Sequence, residues 1–301
     1  MQEKILNFNL TLSPRELIGT ALEWHALGNE IALVTLINIE GNAPYPVGSQ
    51  MLVNDNGHYI GQITGGCAEQ AIADQAVSAI NAKQNMQQRY GLDSPFFDIK
   101  LPCGSGIDVH FETELSHTEL VLLNSALMAR KSVDRAFSTL VKRFLPNPRL
   151  MLFGQGPILV KLAELALQTG FDVCCVAQND DTARLLEKAH LAFERLELAS
   201  TTFEGHLDTF TAFISLFHEH EIEVNLLDKA LCSDSFYIGA LGSRKTHQVR
   251  LQGLSELGLK RSTLDRIHGP VGLNIGANTP AQIALSILAD VTAHMNQSIE
   301  R

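Results

Sequence analysis

The sequence predicts an α/β protein with an N-terminal mixed α+β domain, residues 1–145, followed by a C-terminal Rossmann-like, doubly wound domain, residues 146–301. Three observations carry this expectation. The chain has 301 residues, more than one hydrophobic core usually supports, so two domains are expected. Pro146-Asn147-Pro148 removes two backbone donors and disfavours helix before each proline, which marks a linker. Beyond it the apolar pattern alternates strand, helix and strand at short spacing, as in βαβ units, whereas before it strands and helices mix irregularly.

In the first half, Ser13-Pro14-Arg15-Glu16 supplies an N-cap, a first-position proline and a capping-box glutamate, so a helix runs to about Gly28. Ile31 to Ile39 is rich in Val, Ile and Leu and predicts a buried strand; Glu40 to Pro46 follows as a loop. Ser49 to Val53 and His58 to Ile63 flank Asn54-Asp55-Asn56-Gly57, whose Asn-Gly pair favours a hairpin. Gly65-Gly66-Cys67 opens a helix over Ala68 to Ala82. Phe96 to Leu101 and Ile107 to Glu112 predict strands joined through Pro102-Cys103-Gly104-Ser105-Gly106, and a helix follows from Ser116 to Lys131.

In the second half, Arg149 to Phe153, Pro157 to Gln168 and Phe171 to Ala177 form strand, helix and strand. Thr182 to Ala189 is the next helix, and Thr211 to Phe217 and Phe236 to Leu241 are strands. Thr279-Pro280-Ala281-Gln282 starts the last helix with a capping box, and Ile283, Ile287 and Val291 give it one apolar face.

Composition excludes several classes. The formal charge is −10, and nucleic acid or an anionic membrane would need a concentrated basic face that the chain lacks. Its apolar runs are far shorter than the roughly 20 residues of a bilayer span. Met1 to Asn7 lacks a basic segment followed by an apolar one, so a cytoplasmic location is expected. Five cysteines without framework spacing point to reduced thiols, and the lack of a Cys-x-x-Cys pair disfavours structural zinc.

Four segments offer chemistry. Gly154-Gln155-Gly156 follows a strand and opens a helix, where a pyrophosphate can approach the backbone. The fingerprint's third glycine is Leu159, and the second strand ends Gln178-Asn179 in place of a ribose-binding acid, so NAD(P) binding would depend on Asp180 or Asp181 folding back. A tight turn with no ligand explains the same residues equally well. Gly65-Gly66-Cys67 sets a thiol at a helix start, where bare amides and the helix dipole favour a thiolate, a soft-metal ligand or sulfur acceptor. Cys103-Gly104 sets a second thiol in a glycine loop, although a single cysteine is more often a small buried hydrophobe. Gly242-Ser243-Arg244-Lys245, between a strand and a helix, can receive a phosphate or simply start a basic helix. His218-Glu219-His220-Glu221 would bring two imidazoles to one side if extended, but a solvated polar loop explains it more simply.

Together these segments resemble the XdhC/CoxI family of maturation factors for xanthine dehydrogenase and carbon monoxide dehydrogenase, over almost the whole chain. The resemblance is carried by Gly48 to Val53, Gly61 to Glu69, Cys103-Gly104 with Val109 to Glu112, Tyr237 to Lys245, and Pro270 to Pro280 continuing through Ile283 to Ala289. It implies a chaperone that binds the molybdenum cofactor (molybdopterin) as cargo, assists replacement of an oxo ligand by sulfur, and inserts the cofactor into an apoenzyme. The implied partners are a molybdenum hydroxylase apoenzyme and a cysteine desulfurase, with the carrier itself a homodimer. Cofactor contacts are then expected at Gly65, Gly66, Cys67, Cys103, Gly104, Gly154, Gly156, Ser243 and Arg244, with Cys67 the candidate molybdenum contact. The chain departs from the family pattern where Asn42-Ala43-Pro44-Tyr45 stands for Ser-Ala-Pro-Arg, Asn274 for Asp and Gln282 for Glu. Two other readings stand beside this one: a partner-binding scaffold holding no cofactor, and an NAD(P)-dependent oxidoreductase, which would need a ribose-binding acid and a proton donor.

Overall fold

The structure is a computed structural model that describes residues 4–6, 12–95, 104–137, 140–196, 207–217 and 220–299. It separates into two compact units, Met1–Pro146 and Asn147–Arg301.

The first unit runs β1 (Lys4–Leu6), α1 (Pro14–Ala26), β2 (Ile31–Glu40), β3 (Gln50–Asn54), β4 (Tyr59–Gly61), α2 (Glu69–Ala82), β5 (Met86–Gly91), β6 (Gly106–Glu112), α3 (His117–Met128), β7 (Val133–Phe137) and β8 (Leu140–Phe144). Its main sheet has the order β4-β3-β2-β6-β5, all antiparallel, and β1-β8-β7 forms a small second sheet. The period of two along β2 sorts its side chains between two cores. Ile31 and Leu33 join Leu17 and Ile18 of α1 and Leu120 and Leu123 of α3, whereas Ala32, Val34 and Leu36 join Ile72, Ala73 and Ala76 of α2. Each such buried Val, Leu or Ile side chain contributes roughly 1.5–3 kcal/mol. Because both faces are covered, β2 is buried without interruption from Ile31 to Leu36, with Thr35 the one polar residue in an otherwise apolar run. The helix start at Ser13 forms as predicted: Glu16 N–H donates to Ser13 Oγ at 3.1 Å and Ser13 N–H to Glu16 Oε2 at 3.0 Å.

The second unit runs β9 (Arg149–Gly154), α4 (Pro157–Gln168), β10 (Asp172–Ala177), α5 (Asp180–Lys188), β11 (Phe193–Arg195), β12 (Thr211–Leu216), α6 (His220–Leu231), β13 (Tyr237–Ala240), α7 (Arg244–Glu256), α8 (Arg261–Leu264), β14 (Ile267–His268) and α9 (Pro280–Ile299). The sheet order is β11-β10-β9-β12-β13-β14 with every pairing parallel. Counted within the unit this is 3-2-1-4-5-6, the doubly wound Rossmann order. Leu150 and Leu152 of β9 face Leu159 and Ala163 of α4 and Ile287 of α9; Met151 and Phe153 face Leu226 of α6 and Leu254 of α7.

Differences from the sequence expectation are local. The predicted strand Phe96 to Leu101 lies outside the described residues; β5, Met86–Gly91, which pairs with β6 on the side away from β2, was not expected. Strands β7 and β8 were not expected. The last helix starts at Pro280, but its capping is displaced: Gln282 N–H donates to Thr279 Oγ1 at 3.3 Å, while Gln282 Oε1 accepts from Asn278 N–H at 3.2 Å rather than from Thr279. His220 opens α6, so the extended segment that would have paired it with His218 does not exist from His220 onward; His218 and Glu219 lie outside the described residues.

Candidate functional site

Antiparallel register brings the loops of the first unit to one edge of its sheet. Glu40 pairs with Gly106, and Met51 with Gly61, so the end of β2, the starts of β3 and β6 and the end of β4 share that edge with the start of α2. Gly65, at φ +75°, lies against the β2–β3 loop: a Cβ there would stand 3.5 Å from Pro44 Cγ and 3.8 Å from Tyr45 Cε2. The Tyr45 hydroxyl donates to Gln62 Oε1 at 2.8 Å, so Tyr45 latches this loop. On the other side, a Cβ on Gly41 would meet Ser105 Cβ at 3.4 Å, which places Gly104 on the same edge. Gly65, Gly66, Cys67 and Gly104 thus sit in loops at the same end of the sheet, and all four are exposed. Cys103 lies outside the described residues.

The amides at this helix start are not bare, contrary to the expectation from Gly65-Gly66. Glu69, the first residue of α2, is 3% exposed and turns its carboxylate back into the loop. It accepts from the amides of Ile63 (3.1 Å), Thr64 (2.7 Å), Gly66 (2.7 Å) and Ala68 (3.3 Å), and from the Thr64 hydroxyl (2.5 Å). Burial alone would push the Glu69 carboxyl up, but these hydrogen bonds reverse that and hold it below the usual carboxylate range. The protein's own anion therefore fills the nest that an outside phosphate would have used. What remains at the edge is the Cys67 thiol, with open space where a Gly66 Cβ would stand.

In the second unit, the strand order reverses between β9 and β12, and the crevice at such a point is where open α/β sheets receive ligands. Gly154 makes the approach possible: a Cβ there would lie 2.4 Å from Leu216 C and O. Gly156, at φ +88°, caps α4 and donates its N–H to Thr182 Oγ1 at 2.9 Å. At the end of β10, Asn179 caps α5 and its amide donates to Gln155 Oε1, bridging β10 to the glycine turn. Asp180 is paired with Arg195 and Asp181 with Arg184 in the first turn of α5. The positions directly after β10 are Gln178 and Asn179, and the Asp180 carboxylate is engaged by Arg195, which pairs with Ala177 at the end of β10. At the end of β13, Ser243 caps α7 by accepting from Thr246 N–H at 3.1 Å, and Arg244 and Lys245 are exposed in its first turn. Beneath them Arg250, 0% exposed at its side chain, binds both carboxylate oxygens of Glu223 at 3.0 Å and donates to Leu241 O at 2.7 Å.

Three features escaped sequence reasoning. Lys142 of β8 is 1% exposed and donates to Gly48 O at 2.9 Å; burial pushes its ammonium down to about 7. A cavity of about 380 Å³ is lined by His110, Glu112 and Phe137 with Asn85, Met86 and Gln87. Glu112 there is held by Arg135 at 2.6 and 2.7 Å, and burial keeps His110 toward its neutral form. In the second unit, His268, Asp290 and His294 converge beside Tyr237. Only the four-residue spacing of Asp290 and His294 was visible in the sequence, because His268 reaches them through the fold.

Comparison with known proteins covers both units. A family model described as XdhC and CoxI family matches residues 24–91, and one described as XdhC Rossmann domain matches residues 150–291. The molybdenum cofactor insertion chaperone PaoD of Escherichia coli is 33% identical, over 94% of this chain and 89% of that protein. A Bacillus subtilis protein described as a probable subunit of xanthine dehydrogenase is 26% identical, over 87% of this chain and 92% of its own. A crystal structure described as a xanthine dehydrogenase from Bacillus halodurans shares the fold with a TM-score of 0.75 at 21% identity, covering 95% of this chain and 96% of that one. No helix among the described residues is long and apolar enough to cross a membrane.

Proposed function

Because this chain belongs to the XdhC and CoxI family, we propose that it is a chaperone for the molybdenum cofactor. It holds the cofactor as cargo, assists its sulfuration with sulfur from a cysteine desulfurase, and inserts it into the apoenzyme of a xanthine-dehydrogenase-like molybdenum hydroxylase. The observation that carries this reading is the exposed Cys67 thiol on a loop whose amides are already satisfied by Glu69. With the anion nest filled from within, the loop offers an exposed sulfur rather than a phosphate cradle, and a soft sulfur donor suits molybdenum or a transferable sulfur. Gly65 and Gly66 place no side chain beside it; Cys103 remains the second candidate thiol from the sequence. In the second unit, the Gly154–Gly156 turn and Ser243 with Arg244 each present a helix start to an anion such as a pterin phosphate.

The chain works in the cytoplasm as a homodimer in this reading, and Cys67, Cys175 and Cys232 are free thiols. A nicotinamide-dependent reaction finds no support in a β10 end occupied by Gln178 and Asn179. The test is delivery. Cofactor-loaded protein mixed with the apoenzyme of a molybdenum hydroxylase should restore its activity faster than free cofactor. A chain that captures the apoenzyme but carries no pterin is a scaffold instead, and that result would overturn the carrier role.

A further inference from the structure

We propose that His268, Asp290 and His294 form a binding site for one divalent first-row transition ion, zinc by donor chemistry, within the second unit. Strand β14 ends at His268, and α9 returns along the sheet so that Asp290 and His294, one helical turn apart, face it. Each residue offers a ligand atom, and these atoms all lie within 4.8 Å of one another. The imidazoles of His268 and His294 meet edge to face with centroids 4.4 Å apart.

Surrounding groups orient these ligands as outer partners do in metal sites. The Tyr237 hydroxyl donates to Asp290 Oδ2 at 2.5 Å, and its ring stacks on His268 at 4.3 Å. His294 Nδ1 lies 2.9 Å from the Asp290 carbonyl oxygen, a contact in which Nδ1–H donates and the ring's lone pair is directed to Nε2. Two imidazoles and one carboxylate suit zinc and its neighbours, whereas magnesium and calcium prefer oxygen throughout. Zinc–nitrogen bonds of about 2.0–2.1 Å need donors roughly 3.3 Å apart, so the three side chains would close by rotamer adjustment around the ion. With His294 and Asp290 side chains 32% and 13% exposed, water reaches the remaining position. An ion here would pin β14, a strand of two residues at the sheet edge, to the long helix α9.

The test uses the full chain, stripped with chelator and titrated with zinc and with cobalt(II). The expected result is one ion per chain, a melting temperature that rises with free zinc, and a cobalt spectrum without thiolate charge-transfer bands. Asp290→Asn and His294→Ala should each weaken binding at least about tenfold, and Tyr237→Phe, which removes only the orienting hydroxyl, by about tenfold. A wild-type chain that takes up no zinc at micromolar free metal would overturn the proposal. So would binding that survives in both ligand variants, or a cobalt spectrum dominated by sulfur, which is readable even if a variant fails to fold.

Discussion

At Glu69, five donors converge on one carboxylate inside a loop that also carries the exposed thiol. Removing the acceptor leaves buried amides unsatisfied, each at roughly 1–3 kcal/mol, so Glu69→Ala should cost at least about 3 kcal/mol in denaturant unfolding. Glu69→Gln should cost less. The sign of the pH effect follows from the lowered carboxyl. Below the unfolded value of 4.5 the unfolded chain is protonated first, so the stabilisation by Glu69 is present above that pH and lost as pH falls through the folded value. Wild type should therefore lose stability more steeply than Glu69→Gln on acidification from pH 5. Gly154 belongs to the same scale: at φ +136° with Leu216 carbonyl 2.4 Å from any Cβ, Gly154→Ala should destabilise by at least about 2 kcal/mol, read as a fall in melting temperature.

Among the elements, β8 and the pair α6 and α7 carry charge into the core. For Lys142, the folded ammonium titrates at about 7 and the unfolded one at 10.5, so between those values the unfolded chain holds the extra proton and stability rises with pH. Lys142→Met should abolish that rise, which urea unfolding at a series of pH values checks. The Arg250–Glu223 pair ties α7 to α6 and, through the Ser215 hydroxyl at 2.5 Å, to the end of β12. Breaking it from one side, as in Arg250→Met, should cost about 3–5 kcal/mol, because Glu223 stays buried with its charge. Legibility in the sequence followed burial. Strands β2 and β9 were evident because both their faces are covered and their residues are almost all apolar. Strand β5, Met-Gln-Gln-Arg-Tyr-Gly, was invisible because it is an edge strand in which only Tyr90 is buried. The role of Glu69 was hidden for another reason: a glutamate in a first helical turn looks like ordinary dipole compensation, and only the fold shows it turned inward.

Over the whole molecule, a charge of −10 means that an anionic cargo must be attracted locally rather than by a general field. Arg244 and Lys245 are exposed cations at a helix start, so replacing both with alanine should weaken cofactor binding several-fold, and the loss should shrink at high salt. That the loops carrying Gly65, Gly66, Cys67 and Gly104 fall at the same end of the sheet could not be read from spacing, since it depends on antiparallel register. The split into a mixed α+β unit and a Rossmann unit was legible from the linker and the change of period. The most direct test is equilibrium binding of molybdenum cofactor to the purified chain, reading pterin fluorescence and molybdenum content against Cys67→Ser. Stoichiometric binding that weakens at least about tenfold in the variant is the predicted result; binding unchanged by the substitution, or none in either protein, would contradict it.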